Sequence, residues 1–295
     1  MFVENSCNQK ALLPLLGGKN CSLGILKGFH LFDRSVRIDP SNFSKTDLDE
    51  LVQNGQSLGF LEFDQAEDNN ADPTYSETVQ NKRVMKIRGR KGWSLTFEKG
   101  VCFDNEMDKL NNSQSWSVVP IFEDGKAVFK KNDDGTIKGF DCRTFHETYN
   151  LPLTGDVTGT MLMIDIEETV EWQSEKGLYT PDDFNFTELE PVAGASIEIQ
   201  EPLTAGSDVV ADVQYLCSSS EIIGIDDTSI WNAVVNGVGV TVNSIVADET
   251  NLTFTLATPL VATDVVELEI NDGVNTIVAI DTMYITGISQ KITVA

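Results

Sequence analysis

The sequence predicts a mainly β protein with short helices, organised as two domains: residues 1–190, a β-rich domain with an irregular N-terminal stretch, and residues 191–295, a small β-sandwich. Three observations lead there. Runs of alternating apolar and polar residues recur, the strongest from Val84 to Phe97. Asp-Gly pairs separate short apolar runs, as in hairpin turns. Past Pro191 the texture turns Val-, Thr- and Ile-rich, with one basic residue (Lys291) against fourteen acidic ones. Residues 181–194, bracketed by prolines and acidic side chains, read as the linker.

Taken in order, residues 1–40 read as irregular. A short helix follows, capped by Ser44 with Asp47 at the capping-box position, striped by Leu48, Leu51 and Val52, and stopped at Asn54-Gly55. The acidic, Asn-rich residues 64–72 have little to bury and read as an exposed loop. Beyond Val84, the residues Met85, Ile87, Trp93, Leu95 and Phe97 share one parity and Lys86, Arg88, Arg90, Ser94 and Thr96 the other. This predicts one long strand, or a hairpin bending at residues 89–92, with Trp93 on its core face. Asp104 is the expected N-cap of a second helix over residues 104–112. Asp124-Gly125 and Asp134-Gly135 then mark a meander. A late strand sets Leu162, Ile164 and Ile166 on one face and Met161, Met163, Asp165 and Glu167 on the other. The second domain is expected to hold strands near residues 196–200, 209–215, 238–242, 252–256, 265–270 and 276–280.

Composition removes several function classes. The 295 residues carry 46 acidic and 21 basic side chains, a formal net charge of −25. An acidic surface repels phosphates, which argues against ordinary nucleic-acid binding. No apolar run approaches the roughly 18 residues of a membrane span, and no secretory signal pattern opens the chain. The five cysteines (Cys7, Cys21, Cys102, Cys142 and Cys217) show no C-x-x-C spacing and read as reduced thiols. His30 and His146, the only histidines, read as surface or packing residues.

Motifs that carry chemistry are missing: no P-loop, no G-x-G-x-x-G after a strand, no nucleophile elbow and no H-E-x-x-H. Residues 132–135 suggest a calcium loop, but Lys130 would fall at the first ligand position, so a hairpin turn reads better. Acidic neighbours such as Glu167-Glu168 and Asp226-Asp227 read as solvated residues rather than a hydrolase dyad. No catalytic residue, cofactor or metal site is expected. One feature stands out: Lys82, Arg83, Lys86, Arg88, Arg90 and Lys91 place six positive charges within ten residues. They read either as a solvated strand face or as a basic strip that meets an acidic surface on an identical subunit.

The order of these elements resembles the tail tube protein of long-tailed bacteriophages. The likeness covers about residues 70–170: a loop over residues 72–82, the strand Gly92-Trp93-Ser94-Leu95-Thr96-Phe97, the helix after Asp104, the Asp124-Gly125 meander, and the closing strand Met161-Leu162-Met163-Ile164-Asp165-Ile166. The C-terminal segment resembles a bacterial immunoglobulin-like domain in Val238-Gly239-Val240-Thr241-Val242, in residues 251–256 and in residues 264–268, although it lacks a Cys-Trp-Cys core. The resemblance implies a tail-tube-like β-sandwich or barrel with an appended immunoglobulin-like sandwich. It further implies a virion protein, made in the host cytoplasm, whose hexameric rings stack into a tube beside other virion proteins. DNA would be a passing cargo, repelled by an acidic lumen to which Asp165 and Glu167 are the candidate contributors. Capsid decoration, a head fibre, or a non-enzymatic surface or glycan-binding β-module are the alternatives.

Overall fold

The computed structural model describes residues 1–4, 24–77, 82–87, 89–149, 159–218, 220–222, 224–248, 251–280 and 283–295. The protein is mainly β with short helices. Its contacts divide into two compact units, Met1–Leu48 with Gln56–Leu189, and Asp49–Gly55 with Glu190–Ala295.

Over the first 189 residues the strands are β1 (Phe2–Glu4), β2 (Leu26–Asp33), β3 (Ser57–Glu62), β4 (Gln65–Asp68), β5 (Thr74–Glu77), β6 (Arg83–Ile87), β7 (Lys91–Phe97), β8 (Trp116–Phe122), β9 (Ala127–Lys131), β10 (Ile137–Lys138), β11 (Phe140–Glu147), β12 (Thr160–Ile166) and β13 (Lys176–Pro181). The helices are α1 (Lys45–Gln53), α2 (Gly100–Met107) and α3 (Thr169–Ser174). Eleven strands join one antiparallel sheet in the order β1-β13-β9-β8-β11-β12-β7-β4, with β10 beside β9, β2 beside β8, and β3 beside β2. Among the described residues, β5 and β6 form a separate two-stranded pair.

This sheet is buried on both faces at its centre. Along β2, Phe29 and Leu31 enter a core with Leu95, Phe97, Val118, Phe140, Leu162 and Ile164. The residues between and after them, His30 and Phe32, turn the other way. There Phe2, Phe43, Phe129, Tyr179, Phe184 and Phe186 stack at ring separations of 5.1–6.4 Å. Such edge-to-face and offset contacts add to the area each ring removes from water. The region expected to be irregular therefore contains two strands. The expected linker also packs: Phe186 and Leu189 are buried, and residues Phe186–Glu188 form a 3-10 turn capped by the Asn185 side chain.

Local chemistry explains several elements. In α1 the Asp47 carboxylate accepts from the Ser44 N–H at 2.7 Å and the Asp47 N–H reaches Ser44 Oγ at 3.4 Å, the reciprocal pair of a capping box. The β8–β9 turn puts Asp124 and Gly125 at φ of 61° and 65°, the left-handed pair of a tight hairpin. The turn at residues 132–135 is closed by Gly135 N–H to Asn132 O and Asn132 N–H to Thr136 O.

Two expectations are corrected here. Residues 65–68 form an edge strand, not a loop, pairing Gln65 with Thr96 through Asp68 with Trp93. Asp104 lies inside α2 rather than capping it, and is buried. Its carboxylate accepts from Thr148 and Thr160 and contacts His146 Nε2 at 3.0 Å, which ties α2 to β11 and β12. Burial pushes that carboxyl up, and the three contacts outweigh burial to hold it below the usual range.

In the C-terminal unit the strands are β14 (Val192–Ile199), β15 (Gly206–Tyr215), β16 (Trp231–Val235), β17 (Val238–Val240), β18 (Val242–Asp248), β19 (Asn251–Leu260), β20 (Val265–Ile270), β21 (Val278–Ile280), β22 (Met283–Ile288) and β23 (Ile292–Thr293). All belong to one ten-stranded sheet, with β14 and β22 parallel and the other pairs antiparallel. The ten strands form one continuous ladder, and their inward side chains share a single core. Trp231 on β16 meets Phe254 on β19 at 4.7 Å although four strands separate them in the sheet. The Trp231 indole N–H is satisfied by Ile225 O.

The cysteines also differ from expectation. Cys102 and Cys217 each take part in a disulfide, whereas Cys142 is a free, buried thiol; Cys7 and Cys21 lie outside the described residues.

Candidate assembly surfaces

The long alternating stretch from Val84 to Phe97 is two strands with different surroundings. In β7, Leu95 and Phe97 are buried and Trp93 packs between Phe29 and Trp172, as its parity predicts. In β6 the same parity fails, because Val84 and Met85 are both exposed, at 49% and 48%. Alternation reports a buried face only where something covers it.

Among the described residues, the side chains of β5 and β6 whose burial is defined are exposed. Thr74, Tyr75, Ser76 and Glu77 are exposed, as are Lys82, Arg83, Val84 and Met85. The two strands continue the β4–β7 ladder outward: Asn69 N–H bonds Gly92 O and Ala71 N–H bonds Arg90 O before the pairing resumes at Thr74 and Ile87. The chains pass closely at Gly89, where a Cβ would lie 2.3 Å from Ala71 O, so only glycine fits. The result is a two-stranded ribbon leaving the edge of the sheet, with Arg83 over the Tyr75 ring at 6.0 Å.

Four of the six basic candidates can be placed in full. Lys82 and Arg83 are exposed on the ribbon, Arg90 is exposed at its base, and Lys91 begins β7 half-buried. Lys86 lies in β6, without a described side chain, and Arg88 lies outside the described residues. The strip therefore follows a projecting ribbon rather than a face of the main sheet.

The two acidic candidates are less bare than their alternation suggests. Asp165 lies opposite Gly92 and Arg143, and its Oδ2 sits 3.4 Å from Arg90 Nη1. Burial raises its carboxyl pKa and Arg90 pulls it back. Glu167 is exposed but contacts Arg143 Nε and, at 2.8 Å, Arg34 Nη2, with the Arg143 bond the main reason its pKa is lowered. Glu168 turns the opposite way, to Lys130 at 2.6 Å and Lys138 at 3.7 Å, so Glu167-Glu168 is not a dyad. Their shared face also carries Met161, Met163 and Phe145, all half-buried.

Pairing leaves β4 at one end of the eleven-stranded sheet with all four of its side chains exposed, Glu67 and Asp68 among them. A cavity of about 120 Å³ opens where the ribbon leaves the sheet, lined by Asn70, Asp72, Pro73, Met85 and Arg90 among others. It is smaller than the ~300 Å³ at which ligand pockets begin. Among the described residues no group of three or more His, Cys, Asp or Glu side chains could hold a metal ion. No helix among them is long and apolar enough to cross a membrane. The four tryptophans are buried or half-buried. No protein-family model matches the chain, and no curated protein matches it in sequence.

Proposed function

We propose that this chain is a structural protein that assembles with copies of itself, and that its resemblance to tail tube proteins assigns it to stacked rings around a DNA passage in a bacteriophage tail. The observation that carries this reading is the ribbon. An isolated two-stranded hairpin is marginal in water, and this one leaves Tyr75, Val84 and Met85 about half exposed. Covering each would contribute roughly 1 kcal/mol. Residues 74–91 carry six basic side chains against one acidic, Glu77, in a chain of net charge −25. Such a segment is complementary to the surface of another copy, and its charges offset the repulsion between like-charged subunits. The open strand β4 supplies an unpaired edge, which soluble proteins leave unprotected at a cost. In this reading the C-terminal unit is an immunoglobulin-like decoration carried by each subunit.

The test is charge reversal on the ribbon, Lys82→Glu with Arg83→Glu, followed by mass photometry and circular dichroism. The double variant is expected to keep its β-sheet spectrum and remain monomeric where the unaltered chain forms rings. Assembly by the variant at the same concentration as the parent chain would refute the role of the ribbon.

A further inference from the structure

The geometry points to Asp165 as the residue that aims the ribbon: a clamp at its base, in which Asp165 on β12 and Asn69, just past β4, grip the Arg90 guanidinium from either side of β7. This deepens the assembly reading and rests on it for its purpose, though the clamp itself is a property of a single chain.

Arg90 lies where the ribbon joins β7. Its Nη2 donates to Asn69 Oδ1 at 2.8 Å and its Nη1 faces Asp165 Oδ2 at 3.4 Å. Asn69 follows β4 and Asp165 stands on β12, two strands across the sheet, so the guanidinium bridges both neighbours of β7. Room for the bridge is made at Gly92. A Cβ there would lie 2.5 Å from Asp165 Oδ1 and 2.6 Å from Ile164 O. The carboxylate thus crosses over the β7 backbone through the gap left by a missing side chain.

Asp165 does not gain stability by lying there. Its side chain is only 18% exposed, and Oδ1 is buried with no hydrogen-bond partner. Arg143, its cross-strand neighbour on β11, is engaged with Glu167. A half-buried carboxylate with one unsatisfied oxygen costs free energy, and its raised pKa has the same sign. What it supplies is a fixed direction for the two residues that lead into the ribbon.

A role in aiming and a role in general stability predict opposite results for Asp165→Asn. The amide keeps the shape, removes the buried charge and weakens the grip on Arg90. Hydrogen exchange is measured on dilute monomer, where ring formation plays no part. The amides of Asn69 and Ala71, which bond across to Gly92 and Arg90, are expected to exchange about tenfold faster. The melting temperature is expected to hold or rise. Arg90→Gln should give the same acceleration through the other partner. Unchanged exchange at both amides in both variants overturns the clamp. So does a fall in melting temperature with protection lost throughout the sheet, because Asp165 would then be an ordinary structural residue. If the clamp holds while the unaltered chain never assembles, the inference survives and the proposed function fails.

Discussion

His30 should make the N-terminal unit acid-sensitive well above the pH at which carboxylates protonate. It is wholly buried on β2, between the rings of Phe32 and Phe186, at 4.6 and 5.4 Å. Nε2 shares a hydrogen bond with Ser57 Oγ at 2.5 Å, and Nδ1 has no partner. Burial lowers its pKa from 6.5 to about 3, so the folded chain keeps the ring neutral while the unfolded chain protonates it. Between those values the unfolded state binds the extra proton, and stability falls as the pH falls. At about 1.4 kcal/mol per pH unit, the whole window is worth roughly 5 kcal/mol. Replacing the imidazole by an uncharged ring, His30→Phe, removes this term. Urea unfolding of both chains at several pH values, followed by tryptophan fluorescence, measures it. At pH 8 the variant should be the less stable by about 1 kcal/mol, for the lost Ser57 bond. By pH 4.5 it should have gained roughly 3 kcal/mol relative to the parent chain. Comparing the two chains cancels the carboxylate contribution common to both. A difference that does not change with pH would refute the reasoning.

Two further substitutions probe the frame. Gly92→Ala should lower stability by roughly 1–3 kcal/mol, because the new methyl meets the Ile164 carbonyl as well as Asp165; an unchanged melting temperature would contradict the close packing of β7 on β12. Glu168→Gln should cost roughly 2 kcal/mol at pH 7. It strips the shared counter-ion from Lys130 and from Lys138, which is 5% exposed. The same loss for Lys130→Met, with no further loss in the double variant, would show that the two residues act as one unit.

Reading the sequence worked where a side chain's surroundings follow from its neighbours. The Ser44–Asp47 cap, the Asp124-Gly125 turn and the alternation of β12 are all local, and each formed as its residues require. Strand β2 was illegible for a physical reason. With both faces buried, Phe29, His30, Leu31 and Phe32 show no period of two, and a lysine and a glycine open the run. Asp104 looked like a cap because aspartate favours caps; only the fold brings Thr148, Thr160 and His146 to it, up to 56 residues away. The pairing of Asp165 with Arg90 is equally non-local. Asp165 and Glu167, expected as lumen-facing acids, each face an arginine contributed by another segment. The basic run at residues 82–91 was visible as composition. That it follows an exposed two-stranded ribbon is visible only with the strand pairing.

Self-association is a concentration-dependent property, and concentration is the variable that tests it directly. Mass photometry and negative-stain electron microscopy of the purified chain, from nanomolar to high micromolar, should show closed rings appearing and then stacking. High salt should weaken the charge-dependent contacts. A chain that stays monomeric throughout that range, at low salt and neutral pH, would contradict the central claim.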